Sequence, residues 1–406
     1  MAGVLEGVKV VSMEHNVAGP RASLCLADWG AEVIKVEPPT GEAGRGIRSI
    51  GGVSTTINIG AVAVRPENEA SNRNKKSLAL DLKKKTGRDI LCQLVQKADV
   101  FLSNYQLSSL KKLRLDYDTL SQLNPRLVYA IISGYGTKGP DKDEGAYYYT
   151  AAWARTGMQN LVTLPGAVPP RSPHGMGDSM AAIAAVAGIL GALFHQERTG
   201  RGEKVEVSLF QTALWSIFSD LQPALSGMPR GMEYDRTNVV NPLINVYPTK
   251  DNRWLQLGMF QPDPYWPSFC QAIERPKLEN DPRFNTMESR RENCQELIRL
   301  LDEIFLSKTL EQWTRLCREH GLIFSPVQTV QEVVTDPQAL ANDYFIDLKH
   351  PAGSLKVLAA PAKFNKNPAL VRTPAPELGQ NTEEILLDLG YSWEDIAGLK
   401  EQEVIP

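Results

Sequence analysis

Long apolar runs are missing from this chain of 406 residues. The longest, Met180 to Phe194, falls short of the ~20 residues that span a bilayer. Charge of one sign is missing too: 44 Lys and Arg stand against 47 Asp and Glu, for a net charge of −3. That leaves no overall basic footprint for nucleic acid, although a local Lys/Arg cluster can still hold a phosphate. Cysteine is scarce. The five (Cys25, Cys92, Cys270, Cys294 and Cys317) form no C-x-x-C pair and are odd in number, which argues against a disulfide framework and a structural zinc site. His15, His174, His195, His320 and His350 show no H-x-x-x-H spacing, so no metal is expected. G-x-S-x-G, the P-loop and G-x-G-x-x-G are all absent. The opening residues, MAGVLEGVKVVSMEH, lack a charged leader and read as a strand. A cytosolic chain with no membrane and no nucleic-acid partner is therefore the expectation.

What remains is ordinary globular composition, 42% hydrophobic and 22% charged. At ~150 residues per domain the length suggests two or three domains. Short apolar strands are expected at 8–12, 32–36, 77–82, 100–102 and 127–132. Helical spacing falls at 21–29, stopped by Gly30, and at 87–96. Strands separated by helices imply βαβ units and a parallel sheet, an α/β fold. Residues 38–75 are rich in Gly, Pro, Asn and Thr and read as one long loop. A helix rich in Ala and Gly should run from Asp178 to about Arg198 and be tightly buried. A turn at 199–202, a strand at 204–208 and a helix near 209–225 should follow. Beyond the segment SGMPRGMEYDRTNVVNP, residues 243–257 read as a hairpin turning at Asp251-Asn252. Helices are expected near 264–274, 290–306, 310–319 and 383–389.

The first βα turn, His15-Asn16-Val17-Ala18-Gly19-Pro20, lacks the glycines that a dinucleotide pyrophosphate needs, so NAD or FAD in the usual pose is disfavoured. The sharpest local feature is His174-Gly175-Met176-Gly177-Asp178-Ser179. A carboxylate at the head of an apolar helix feels the positive helix end, and nearby N–H groups can stabilise an oxyanion. That suits a carboxylate nucleophile. By position alone, the commoner role of such a residue is a plain N-cap aspartate with no catalytic role. The basic clusters Lys75-Lys76, Lys83 to Lys85 and Lys111-Lys112 fit phosphate contacts or solvated surface. Tyr147-Tyr148-Tyr149 fits a pocket wall or core packing.

Taken in order, a series of segments resembles the class III CoA-transferases, a family that includes the α-methylacyl-CoA racemases. They are L-E-G-V-K-V-V and A-G-P within 5–20, W-G-A-E-V-I-K-V-E at 29–37, N-K-K-S-L-A-L-D-L at 74–82 and A-D-V-F-L-S-N-Y at 98–105. G-Y-G-T-K-G-P at 134–140, G-D-S at 177–179, T-G-R-G-E-K-V-E-V-S at 199–208, D-P-R-F-N-T at 281–286 and the closing G-Q-N-T-E-E-I-L-L-D-L-G-Y at 379–391 complete the set. The resemblance implies a Rossmann-like large domain with a parallel sheet, built from both chain ends, plus a smaller inserted α/β domain and an interlocked homodimer. The corresponding division is 1–210, a linker helix at 211–230, a small domain at 231–328, and a return at 329–406. It implies that Asp178 is the nucleophile, forming an aspartyl anhydride and then an aspartyl-CoA thioester, with a CoA thioester as co-substrate and no tightly bound cofactor. The implied CoA contacts are Val17, Ala18, Asn104, Tyr105 and Lys112. An arginine common after the second strand is replaced by Pro38, and the Lys75-Lys76 pair is expected to compensate, with Lys75 at the CoA. The implied substrate pocket takes His15, Tyr147, Tyr148, Met176 and Gly177.

Two departures separate branches. The racemases carry a catalytic histidine where this chain has Tyr147, and a phenol with a pKa near ~10 is a poor shuttle for an α-proton. Formyl-CoA transferases have a glutamate where this chain has Tyr148, and their glycine-rich loop is replaced by Gly258-Met259-Phe260-Gln261-Pro262. G-P-D-K-D, Y-T-A-A-W-A-R-T-G and A-N-D-Y are similar to the 2-hydroxyacyl CoA-transferases of anaerobic amino-acid fermentation. There, Tyr148 replaces an aspartate and Ser179 a histidine. The expected partners are an acyl-CoA and a medium-sized apolar or aromatic carboxylic acid. A racemase-like isomerase and a CoA-binding protein without turnover are the competing readings.

Overall fold

The computed structural model describes residues 3–50, 52–60, 62–228 and 235–406. Residues 1–2 of the opening strand, 51 and 61 of the expected loop, and 229–234 of the segment before the hairpin lie outside the described residues. The chain divides into two compact units. One comprises Met1–Gln159, Arg171–Pro229 and Leu340–Pro406, the other Asn160–Pro170 and Arg230–Ala339.

The first unit is built on six parallel strands: β1 (Lys9–Met13), β2 (Glu32–Glu37), β3 (Lys75–Ala79), β4 (Val100–Ser103), β5 (Val128–Ser133) and β6 (Lys204–Ser208). Their order across the sheet is 6-5-4-1-2-3, with the direction of winding reversing at β1. The strands are near-continuous apolar runs because both faces are covered. On one face, α1 (Ala18–Asp28) and the long α4 (Met176–Thr199) bury Val10, Leu102 and Ile132. On the other, α2 (Lys85–Gln96), α3 (Leu107–Leu113) and the helices Thr382–Leu389 and Trp393–Glu401 bury Val11, Phe101 and Ile131.

The structure revises three expectations. Residues 38–75 are not one open loop. They contain a 3-10 turn (Ala43–Gly46), two hairpins (Ser49–Ile50 with Val53–Ser54, Ile57–Ile59 with Val62–Val64), a helix at Pro66–Asn72 and the start of β3. The helix follows ordinary signals, Pro66 at its first position and Glu67 and Glu69 in its first turn. The expected helix at 209–225 is broken at Ile217 into α5 (Leu209–Ser216) and α6 (Phe218–Leu225). Ser208 caps α5 by accepting from the Gln211 N–H at 3.0 Å. Finally, α4 is buried on one face only. Ala181, Ala182, Ala185 and Ile189 lie in the core, and a Cβ on Gly188 would meet Val205 at 2.6 Å, so small side chains do admit β6. Ile183 and Phe194, however, are 51% and 63% exposed. At 24 residues, α4 is also long and apolar enough to cross a membrane by length and composition; its buried face is instead part of the first unit's core.

The second unit holds a three-stranded antiparallel sheet, Val246–Pro248, Trp254–Leu257 and Phe324–Pro326. The expected hairpin turn is present, with Asn252 in the left-handed region (φ 57°). Helices Trp266–Ala272, Cys294–Phe305 and Leu310–Glu319 close over it around Tyr247, Phe269, Phe305 and Trp313.

Candidate active site

In an open α/β sheet, ligands bind beyond the carboxyl ends of the strands where the winding reverses. Here that crevice lies between β1 and β4. A cleft of about 320 Å³ occupies it, lined by His15 to Ala18 after β1, Asn104 to Leu107 and Ser109 after β4, Ser133 and Gly134 at the end of β5, the segment Glu144–Tyr147, Lys142, and Asp178. A second cleft of about 370 Å³ opens beyond β1, β2 and β3 and includes Pro38, Lys83 and Lys112. Tyr105 and Ser109 stand in both walls, so the two adjoin.

The loop after β1 is held from below. Asn16 sits at φ 60°, a conformation that Asn tolerates better than most residues. The Asn104 side chain clamps His15, accepting from its N–H at 2.9 Å and donating to its carbonyl at 2.9 Å. The Asn16 N–H donates to Glu42 Oε2 at 3.1 Å. Gly19 is required by crowding, since a Cβ there would lie 2.9 Å from the Glu14 Cβ and 3.1 Å from Asn104. The His15 ring meets Tyr105 edge-on at 5.0 Å, and burial lowers its pKa.

Asp178 is not the N-cap. That position is Gly175, in the left-handed region at φ 66°, and Asp178 lies in the first turn of α4 without capping it. The first helical hydrogen bond runs from the Ser179 N–H to the Gly175 carbonyl at 3.0 Å, so the N–H groups of Met176, Gly177 and Asp178 precede it at the positive helix end. Burial pushes the Asp178 carboxyl up to about 6, against the pull of the Arg21 guanidinium.

The other expected residues divide. His15, Val17, Ala18, Asn104, Tyr105 and Tyr147 line the same cleft as Asp178, and Tyr147 is 68% exposed. Lys112 lines the adjoining cleft. Lys75 faces neither. Its ammonium is fully buried, 2.8 Å from Glu14 Oε1 and 3.0 Å from both the Pro20 carbonyl and Asn72 Oδ1. Burial lowers its pKa to about 8 in spite of Glu14. It braces the loop from inside, and the expectation of a phosphate contact is withdrawn. Lys76, its neighbour, is engaged by Glu32 and Glu384. Glu37, at the tip of β2, lines the second cleft but is almost wholly buried. Burial pushes its carboxyl up, but two bonds from Arg45, at 2.6 and 2.7 Å, and one from Ser77 bring it below its usual value. Tyr148, Met176 and Gly177 are not on the cleft wall. The Tyr148 hydroxyl donates to the Pro173 carbonyl at 2.7 Å, and its side chain packs against Gly177, where a Cβ would come within 3.1 Å. Sequence reasoning missed Ser109, Ser133 and Lys142 on the wall. A serine inside a helix, a serine ending a strand and a lysine in a loop carry no pattern of their own.

This is the crevice of a doubly wound α/β protein, with a desolvated carboxyl in the wall of its cleft. The sequence matches CoA-transferase family III over residues 5–382. It is 37% identical to the (R)-2-hydroxy-4-methylpentanoate CoA-transferase of Clostridioides difficile over 99% of both chains. It is 34% identical to the cinnamoyl-CoA:phenyllactate CoA-transferase of Clostridium sporogenes over 99% of this chain and 97% of that one. Its fold is similar to the crystal structure of a CAIB/BAIF family protein from Brucella suis, with a TM-score of 0.83, 26% identity and coverage of 96% of this chain and 100% of the other. The chain belongs to CoA-transferase family III, enzymes whose co-substrates are CoA thioesters and carboxylates.

Proposed function

We propose that this enzyme moves CoA from an acyl-CoA to a medium-sized 2-hydroxy, aryl or branched carboxylic acid, with Asp178 as the nucleophile. The observation that carries the proposal is the Asp178 carboxyl in the wall of the switch-point cleft, desolvated enough to be reactive and still ionised near neutral pH. The Asp178 carboxylate attacks the thioester carbonyl and CoA leaves as thiolate, giving an aspartyl–acyl anhydride. The thiolate attacks the aspartyl carbonyl, releasing the donor acid and leaving an aspartyl-CoA thioester. The acceptor carboxylate attacks that thioester and expels the thiolate, which then attacks the acyl carbonyl of the second anhydride. The new acyl-CoA departs and Asp178 is free again. The N–H groups at the head of α4 suit the oxyanion of each step. Each step breaks one activated acyl bond as it forms another, so the balance needs no metal, no ATP and no tightly bound cofactor.

In this reading the thioester arm of CoA runs past Val17, Ala18, Asn104 and Tyr105. The nucleotide end takes the adjoining cleft, where Lys83 and Lys112 supply positive charge. His15 and Tyr147 border the acyl group. Tyr147 supports transfer over racemisation, since no histidine stands there. We read residues 231–328 as the family's small domain and the working form as a cytoplasmic homodimer. The apolar surface of Ile183, Phe194, Trp215, Phe218 and Leu225 supports the dimer.

The test is mass spectrometry of the intact protein after incubation with mixed acyl-CoA thioesters and trapping with hydroxylamine or borohydride. A mass change on the peptide holding Asp178, absent in Asp178→Ala, is expected. CoA bound without any adduct would overturn transfer and favour a racemase or a binding protein. A panel of acids in which only oxalate or succinate accepted CoA would overturn the acceptor class.

A further inference from the structure

Beside Asp178 stands a cation that none of the steps above uses. Arg21 lies in the first turn of α1 and reaches across to the first turn of α4. Its Nη1 donates to the Ser179 Oγ at 2.6 Å and to the Gly175 carbonyl at 3.2 Å. The Ser179 hydroxyl in turn donates to the same carbonyl at 3.1 Å. The three groups form a closed triangle around the N-cap of the helix that carries Asp178. The fit is close, because a Cβ on Gly175 would lie 2.9 Å from Arg21 Nη1. On its far side, Arg21 Nη2 pairs with Glu67 Oε1 at 2.9 Å. Glu67 belongs to the helix Pro66–Asn72, within the stretch that reads as loop in the sequence.

We infer that Arg21 is a positioning residue for the nucleophile: its guanidinium locks the turn that aims Asp178 and sets a positive charge against the carboxylate, and Glu67 tempers that charge. The inference rests on Asp178 being the nucleophile. A fixed cation within a few ångströms favours the ionised form of a carboxyl, and burial opposes it. Arg21 is the charged side chain that pulls the Asp178 carboxyl back down against burial. Other ionisable groups share the site. His15 comes from the loop after β1, Lys142, Glu144 and Tyr147 from the segment after β5, and Tyr149 from the turn that follows. Burial lowers the pKa of His15, so this ring is the control for the assignment.

The experiment is the pH dependence of trapped adduct on Asp178, measured for wild type, Arg21→Gln, Arg21→Lys and Glu67→Gln. Arg21→Gln should move the acid limb up by about one pH unit, the usual scale for losing a neighbouring opposite charge. Arg21→Lys should restore most of that shift. Glu67→Gln should move the limb the other way. The Arg21→Gln displacement should persist when His15→Gln is added, which assigns it to Asp178. A purely structural role would lower adduct formation equally at every pH in Arg21→Gln and leave Glu67→Gln superimposed on wild type; that outcome overturns the inference. If Arg21→Gln fails to fold, the opposite shift in Glu67→Gln and the retained limb in Arg21→Lys still decide it. Wild type that forms no adduct at any pH would end the nucleophile reading itself, a result distinct from an adduct whose pH profile ignores Arg21.

Discussion

Asp178 is held between opposing forces, and the balance has consequences that can be measured. An aspartate with an ordinary value of 3.8 is raised to about 6 by burial. Between pH 4 and 6 the folded chain keeps a proton that the unfolded chain has already lost. Stability contributed by the protonated form therefore falls as pH rises through that window, and above it the charged carboxylate is a standing cost. Asp178→Asn removes the charge. The variant should be inactive in transfer yet more stable than wild type at pH 7.5, by roughly 1–3 kcal/mol. The difference should vanish below pH 4; urea unfolding at the two pH values checks it. Under the proposed function, the wild-type rate should fall below about pH 6 as Asp178 protonates. The G-D-S motif was legible in the sequence, and so was Asp178 itself. Its place inside the first turn, with Gly175 as the cap, depends on the φ of 66° that only a glycine adopts freely.

At the scale of elements, the loop after β1 is shaped by buried charge. Lys75 from β3 and Glu14 after β1 form an ion pair that is 0% exposed on both sides, and the Ser23 hydroxyl of α1 donates to the same Glu14 oxygen at 2.8 Å. Removing one partner leaves the other charge buried and unpaired, which costs far more than the pair contributes. Lys75→Met should destabilise the protein by roughly 3–5 kcal/mol. Adding Glu14→Gln should recover much of that loss, as urea denaturation midpoints would show. The A-G-P motif was visible in the sequence. Its reason was not, because the crowding of Gly19 against Asn104 joins residues far apart in the chain. The lysines of N-K-K read as a surface cluster for the same reason. A charge run looks alike in sequence whether it meets solvent or a buried carboxylate.

At the scale of the whole molecule, α4, α5 and α6 each carry exposed apolar side chains. Trp215 is 76% exposed, Phe218 53% and Leu225 71%. Large apolar side chains exposed on three successive helices are the feature on which the dimer reading rests. Under the dimer reading, wild type should run as a dimer in light scattering, and Trp215→Glu with Phe218→Glu should shift it to monomer. A wild-type monomer at micromolar concentration would remove the support this surface lends to the dimer.

The sequence by itself determined the alternation of strands and helices, the parallel sheet and the family, because each is written in local periodicity or in a contiguous motif. Only the tertiary structure decided which charges face the cleft and which brace it. Lys75, expected at a phosphate, closes an internal ion pair. Arg21, which reads as an ordinary helical residue, stands over the turn that carries Asp178. Both outcomes depend on where β3, α1 and α4 meet, and on the cost of burying a charge without a partner, which no local pattern records.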